Sequence, residues 1–178
     1  MRKFLMFVLV AIFASVIFFS CNKVSITMEP EVEIIWFDPL GWYVVPGDNI
    51  VEIDEIHFKV WNYVDSRIKQ MDVEFRSIRT GEVVTTGLSW GLDIFLTGGD
   101  DDCATCITEV YNVYIPVKDV VDYMFSEDDN TIAFLTFSGE DAYGDEKQFS
   151  VSMQYSIIML SDTTDTTSAF EPRVISNK

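Results

Sequence analysis

The chain has 178 residues, 12 basic against 29 acidic side chains, and a net charge of −17 at pH 7. That balance argues against nucleic-acid binding, which depends on Lys and Arg to displace counterions from phosphate. Hydrophobic residues make up 48% of the chain and aromatics 14%, enough for a folded core rather than a disordered acidic tract.

Arg2 and Lys3 open the chain, an uncharged apolar run extends from Phe4 to Phe19, and Ser20-Cys21 follows. This order resembles the leader of bacterial lipoproteins, and the apolar run is short for a comfortable bilayer span. The resemblance implies export, cleavage before Cys21, and a lipid on Cys21 that holds the chain to the cell membrane or outer membrane. Phe18 and Phe19 are bulkier than the residues usual at those positions. An uncleaved N-terminal anchor and ordinary secretory cleavage are the alternatives, and all three place residues 22–178 outside the cytoplasm. Cleavage removes Arg2, Lys3 and no acid, leaving ten basic against 29 acidic side chains, a charge of −19. The expected organisation is a signal peptide over 1–20, a tether over 21–30, one folded domain over 31–160 and a flexible tail over 161–178, where Thr, Ser and Asp dominate.

Spacing-two alternation predicts seven strands, at about 31–37, 51–61, 68–77, 83–97, 107–115, 131–138 and 148–159. The clearest sets are Ile56-Phe58-Val60, Met71-Val73-Phe75, Leu88-Trp90-Leu92-Ile94-Leu96 and Phe149-Val151-Met153-Tyr155-Ile157. Pro39, Gly41, Pro46 and Gly47 make 38–50 an irregular or split edge strand. Arg79-Thr80-Gly81-Glu82 reads as a hairpin turn with Gly at the left-handed position. Val117, Val120, Val121 and Met124 share one helix face over 117–125, with Pro116 as the opening residue. That segment fits a short crossover helix.

These elements predict an all-β fold, a two-sheet sandwich of about seven strands with one short helix. The stretches EIHFKVWNYVD, MDVEFRSIRTGEVV and TIAFLTFSGEDAYGDEKQFSVSM resemble bacterial immunoglobulin-like and fibronectin-III-like domains, a likeness covering residues 31–160. The inter-sheet Cys pair of antibody domains is absent. A jelly roll or a small lipocalin-like barrel fits the same pattern.

Cys103 and Cys106 form the one close cysteine pair. Without a second pair or a βαβ setting, a local disulfide is expected rather than redox or zinc chemistry. The single histidine, His57, rules out a histidine-based metal cluster and argues against a Ser-His-Asp triad. In a seven-strand sandwich the loops 62–67, 98–106 and 139–147 meet at one end. They bring together Asp65, Asp100, Asp101, Asp102, Glu140, Asp141, Asp145 and Glu146. Such hard oxygen ligands suit Ca²⁺, with Asp100, Asp101, Asp102 and Asp141 as the candidate set; solvated, mutually repelling acids are the plainer expectation, with no cofactor.

Trp36, Phe37, Trp42, Tyr43 and Trp61 cluster near the early strands. Because Ile56, Phe58 and Val60 take one face of their strand, His57, Lys59 and Trp61 take the other. These aromatics either form a contact patch or are covered by 38–50, and burial is the expectation. No phosphate loop, G-x-S-x-G, H-E-x-x-H or dinucleotide fingerprint occurs. The function expected is a non-enzymatic binding or structural module of the cell envelope, with an envelope protein or carbohydrate as partner. The alternative is a carbohydrate-active hydrolase with paired carboxylates, marked by a cleft holding two acids and aromatic platforms.

Overall fold

The computed structural model describes residues 28–160, apart from 100, 101, 104, 145 and 146 and the side chain of Thr86. The leader, Cys21 and the 161–178 tail lie outside the described residues. In chain order the elements are β1 (Val32–Asp38), β2 (Gly41–Val44), β3 (Ile50–Val60), β4 (Ser66–Ser77), β5 (Val83–Leu96), β6 (Ile107–Pro116), α1 (Lys118–Glu127), β7 (Thr131–Asp141) and β8 (Gln148–Met159). A three-stranded sheet runs β1-β3-β6 and a five-stranded sheet runs β2-β8-β7-β4-β5. All pairs are antiparallel except β2 with β8. Among the described residues no helix is long and apolar enough to cross a membrane.

Alternation builds the core. Every second residue of β7 is buried, including Ala133, Leu135 and Phe137, while Thr136 and Ser138 point outward. In β4 the inward set passes from Ile68 to Met71, Val73 and Phe75, and an irregularity between Ile68 and Gln70 absorbs the odd step. The two inner faces meet where Phe58 of β3 packs edge-on against Phe137 of β7, ring centroids 5.0 Å apart. Tyr155 is fully buried, and its hydroxyl donates to the Glu52 carbonyl at 2.9 Å. Burial pushes its phenol pKa well up, helped by the negative charges of Asp54, Asp38 and Glu52.

Residues 38–50 hold the eighth strand. The chain leaves β1 through a cis Asp38–Pro39 bond and enters β2, which extends the opposite sheet by pairing with Ser156–Met159 of β8. The β2–β3 turn places Gly47 at φ +96° and is tied by Asp48 Oδ2, which accepts the Val45 amide at 2.8 Å.

β5 corrects one expectation. Of the row Leu88 to Leu96, only Leu96 is fully buried, and Leu88, Trp90, Leu92 and Ile94 are half-buried. β5 is an edge strand of the wider sheet, and the opposing sheet has only three strands to cover it. Helix α1 helps fill that gap. It packs on β5 and buries Val120, Val121 and Met124. The helix ends where Asp128 turns left-handed at φ 49° and its amide reaches the Met124 carbonyl.

Candidate functional site

The β3–β4, β5–β6 and β7–β8 loops meet at one end of the sandwich, and Asp65 joins them. Its Oδ1 accepts the Gly98 amide at 2.8 Å, its Oδ2 accepts the Tyr143 hydroxyl at 2.9 Å, and its carbonyl accepts the Ala142 amide at 2.8 Å. The nearby carboxylate raises the Tyr143 phenol pKa. Two glycines permit the close approach. A Cβ on Gly98 would stand 2.7 Å from the backbone of Tyr63 and Val64, and one on Gly99 would fall on the Cys106 sulfur. Cys103 and Cys106 are joined by a disulfide, Cα atoms 5.4 Å apart.

Of the sequence-derived calcium candidates, Asp100 and Asp101 lie outside the described residues, as do Asp145 and Glu146. Asp102 is exposed. Asp141 is buried, and its two oxygens accept the amides of Tyr143 at 2.9 Å and Lys147 at 2.7 Å. Glu140 pairs with Lys69 at 3.3 Å. Asp65, Glu140 and Asp141 thus tie the loops to each other and to β4.

The outer face of the β1-β3-β6 sheet carries a different group. In β3 the inward residues run Val51, Ile53, then Ile56, Phe58 and Val60. The face switches at Asp54, opposite Asn112, whose φ of +56° is one that Asn tolerates better than most residues. Glu52, Glu55, His57 and Lys59 are the intervening residues of β3. Across the ladder Glu52 pairs with Tyr114, Glu55 with Tyr111, and His57 with Glu109. On the other side an irregularity between Ile34 and Trp36 sets Trp36 opposite His57, ring centroids 4.6 Å apart.

His57 Nε2 and Glu55 Oε1 are 2.7 Å apart. The hydrogen bond from His57 holds the Glu55 carboxyl below the usual carboxylate range against the opposing effect of burial, and a hydrogen bond with Tyr111 adds to the lowering. The Tyr111 hydroxyl donates to Glu109, and hydrogen bonding to Glu109 and then Glu55 pushes its phenol pKa well up. Glu52 raises the Tyr114 phenol in the same way. At the other end of the face Lys59, only 8% exposed, lies 3.7 Å above the Trp61 ring. The indole of Trp61 donates to Glu33 at 2.6 Å. β2 lies in the opposite sheet, and Trp36, Trp42 and Trp61 remain half-buried, whereas Tyr111 and Tyr114 are 55% and 56% exposed.

One ligand atom each from Glu55, His57 and Glu109 falls within 4.8 Å of the others. The histidine count did not foresee this grouping. One imidazole can still meet two carboxylates across a ladder. The sequence signal was the outward parity of His57; what it lacked was the pairing of β3 with β6.

Open grooves among the described residues include two beside the wider sheet. One, about 450 Å³, lies between β1 and β8 and is lined by Ile34, Phe37, Val151 and Met153 with Glu33 at its rim. The other, about 470 Å³, holds Asp72, Glu74 and Phe134. Gln70 donates to both Asp72 oxygens and Arg76 pairs with Glu74, so each acid is engaged by its own strand.

No protein-family model matches the chain, and no curated protein is similar to it in sequence. Solved structures similar in backbone include the following three. A sporulation control protein of Bacillus subtilis is 12% identical with a TM-score of 0.40, over 75% of this chain and 50% of that one. This chain therefore spans about half the length of that protein. A protein assigned to the late embryogenesis abundant class is 20% identical with a TM-score of 0.43, covering 84% and 86%. A protein from Archaeoglobus fulgidus is 13% identical with a TM-score of 0.36, covering 75% and 100%.

Proposed function

We propose that the chain is a lipid-anchored, extracytoplasmic binding module of immunoglobulin-like type, without enzymatic activity. Its outer β1-β3-β6 face would engage a basic surface on a protein of the cell envelope. The strand order supports the fold type. Taking β1, β3 and β6 as A, B and E, and β5, β4, β7 and β8 as C′, C, F and G, the two sheets follow the immunoglobulin pattern. Short β2 continues strand A into the second sheet.

The observation that carries the binding reading is the row on that face of exposed tyrosines with carboxylates that are half-buried at Glu52 and Glu55 and exposed at Glu109. Tyr111 and Tyr114 alternate with Glu52, Glu55 and Glu109, flanked by Trp36 and Trp61. Aromatic rings offer contact area and cation–π faces, and carboxylates offer charge for Lys and Arg. The −17 charge steers the same class of partner. A hydrolase is the second reading, and it draws on the groove holding Asp72 and Glu74 beside Phe134.

Anchor and face are tested separately. With the full chain expressed in a lipoprotein-competent bacterium, labelled fatty acid should enter the wild type and not Cys21→Ser. Equal labelling of both would remove the anchor. Co-purification of the partner should be lost in Trp36→Ala with Tyr111→Ala and retained in Asp72→Asn with Glu74→Gln. The reverse pattern would move the binding site to the other sheet.

A further inference from the structure

We propose that Glu55, His57 and Glu109 form a binding site for a first-row transition-metal dication, with Zn²⁺ as the representative ion. The site goes beyond the partner surface and requires no partner to fill it. Three observations lead to it. The ligand types are one imidazole and two carboxylates, a mixed set that suits zinc better than the all-oxygen sets preferred by Ca²⁺ and Mg²⁺. They stand on rigid, directly paired strands rather than on loops: His57 opposite Glu109, and Glu55 two residues along the same strand. Their surroundings also orient them. Trp36 packs on the imidazole, and the Tyr111 hydroxyl, directly across the ladder from Glu55, donates to Glu109.

The geometry requires a small contraction. Zinc bonds of about 2.0–2.2 Å place tetrahedral ligand atoms roughly 3.4 Å apart. The three atoms here lie within 4.8 Å of one another. Side chains half-buried or exposed on a sheet face can close that difference by rotating. The His57 Nε2 to Glu55 contact gives way to a bond from Nε2 to the metal, while Tyr111 stays as an outer partner of the carboxylates. Two positive charges then replace the repulsion between Glu55 and Glu109. Three protein ligands leave a fourth position for water or for a donor from a partner.

Zinc titration of the full chain in detergent tests the site, with calorimetry for stoichiometry and tryptophan emission as a local reporter, since Trp36 touches His57. One equivalent of Zn²⁺ should bind, change the emission, and resist displacement by excess Ca²⁺ or Mg²⁺. His57→Gln and Glu109→Gln should each abolish that equivalent while circular dichroism stays unchanged. Tyr111→Phe should weaken binding by about tenfold, the usual cost of losing an outer partner. Stoichiometric zinc binding that survives His57→Gln and Glu109→Gln would overturn the site, as would displacement by Ca²⁺ at equal concentration or no binding at all. Glu109 is exposed, so its variant remains informative if His57→Gln does not fold. Loss of zinc binding with partner binding intact would leave the contact face standing.

Discussion

Glu109 stands directly opposite His57 in the β3–β6 ladder, on a strand that the chain reaches only after crossing to the other sheet for β4 and β5. The outer face is built from such non-local pairs. Each residue's parity is local, but its neighbours are set by how the sheets assemble.

The first prediction concerns the glycine that meets the disulfide. Gly99→Ala forces a methyl group onto the Cys106 sulfur and the Cys103 side chain. Overpacking of this kind costs about 1–3 kcal/mol. Chemical denaturation of the full chain should show that loss. In a background of Cys103→Ala with Cys106→Ala the loss should shrink, because the two sites are in contact. A loss that is the same in both backgrounds contradicts the contact.

Asp65 gives the second. Asp65→Ala leaves the Gly98 amide without its acceptor, at a cost of about 1–3 kcal/mol if it stays buried. Asp65 raises the Tyr143 phenol above the usual 10.0, so removing the carboxylate should let that phenol ionise at lower pH. A phenol raised by folding contributes stability below its unfolded pKa and loses it as pH rises through the folded value. Phenolate absorbance during alkaline titration should therefore begin earlier in Asp65→Ala, and the difference should vanish in a Tyr143→Phe background.

How far the sequence foresaw this fold follows from the same distinction between local and non-local order. Period-two rows such as Met71-Val73-Phe75 marked β4, and the Val120, Val121 and Met124 face marked α1. Pro39, Gly41, Pro46 and Gly47 marked 38–50 as an irregular or split edge strand, and its regular part is the four-residue β2 at the edge of the wider sheet; that it pairs parallel with β8 was not legible. β4 begins at Ser66 and β7 ends at Asp141, beyond the predicted limits of 68 and 138. Ser66 and Arg67 pair with Asp141 and Glu140 there, in the stretch secured by Asp65 and Asp141. The half-burial of Leu88 to Ile94 depends on the unequal width of two sheets, which no single strand reports. His57 was placed outward correctly, yet Glu109 and Tyr111 beside it became visible only once β3 and β6 were paired.

The third prediction is a pH dependence. His57 holds the Glu55 carboxyl below its usual 4.5. A depressed carboxylate contributes stability above its unfolded pKa and loses it as pH falls through the folded value. The stability difference between wild type and Glu55→Gln should therefore be present above 4.5 and close as pH falls below it. Denaturant midpoints measured across that range check the sign, and a difference that widens in acid contradicts the pairing.

Site-specific photo-crosslinking in living cells tests the contact face most directly. A photoreactive residue placed at Tyr111, on the outer face of the three-stranded sheet, is compared with one at Gln154, exposed on the five-stranded sheet. The expected result is a discrete adduct from position 111, lost on adding Trp36→Ala, and none from position 154. An adduct from position 154 with none from position 111 would contradict the assignment of the β1-β3-β6 face as the binding surface.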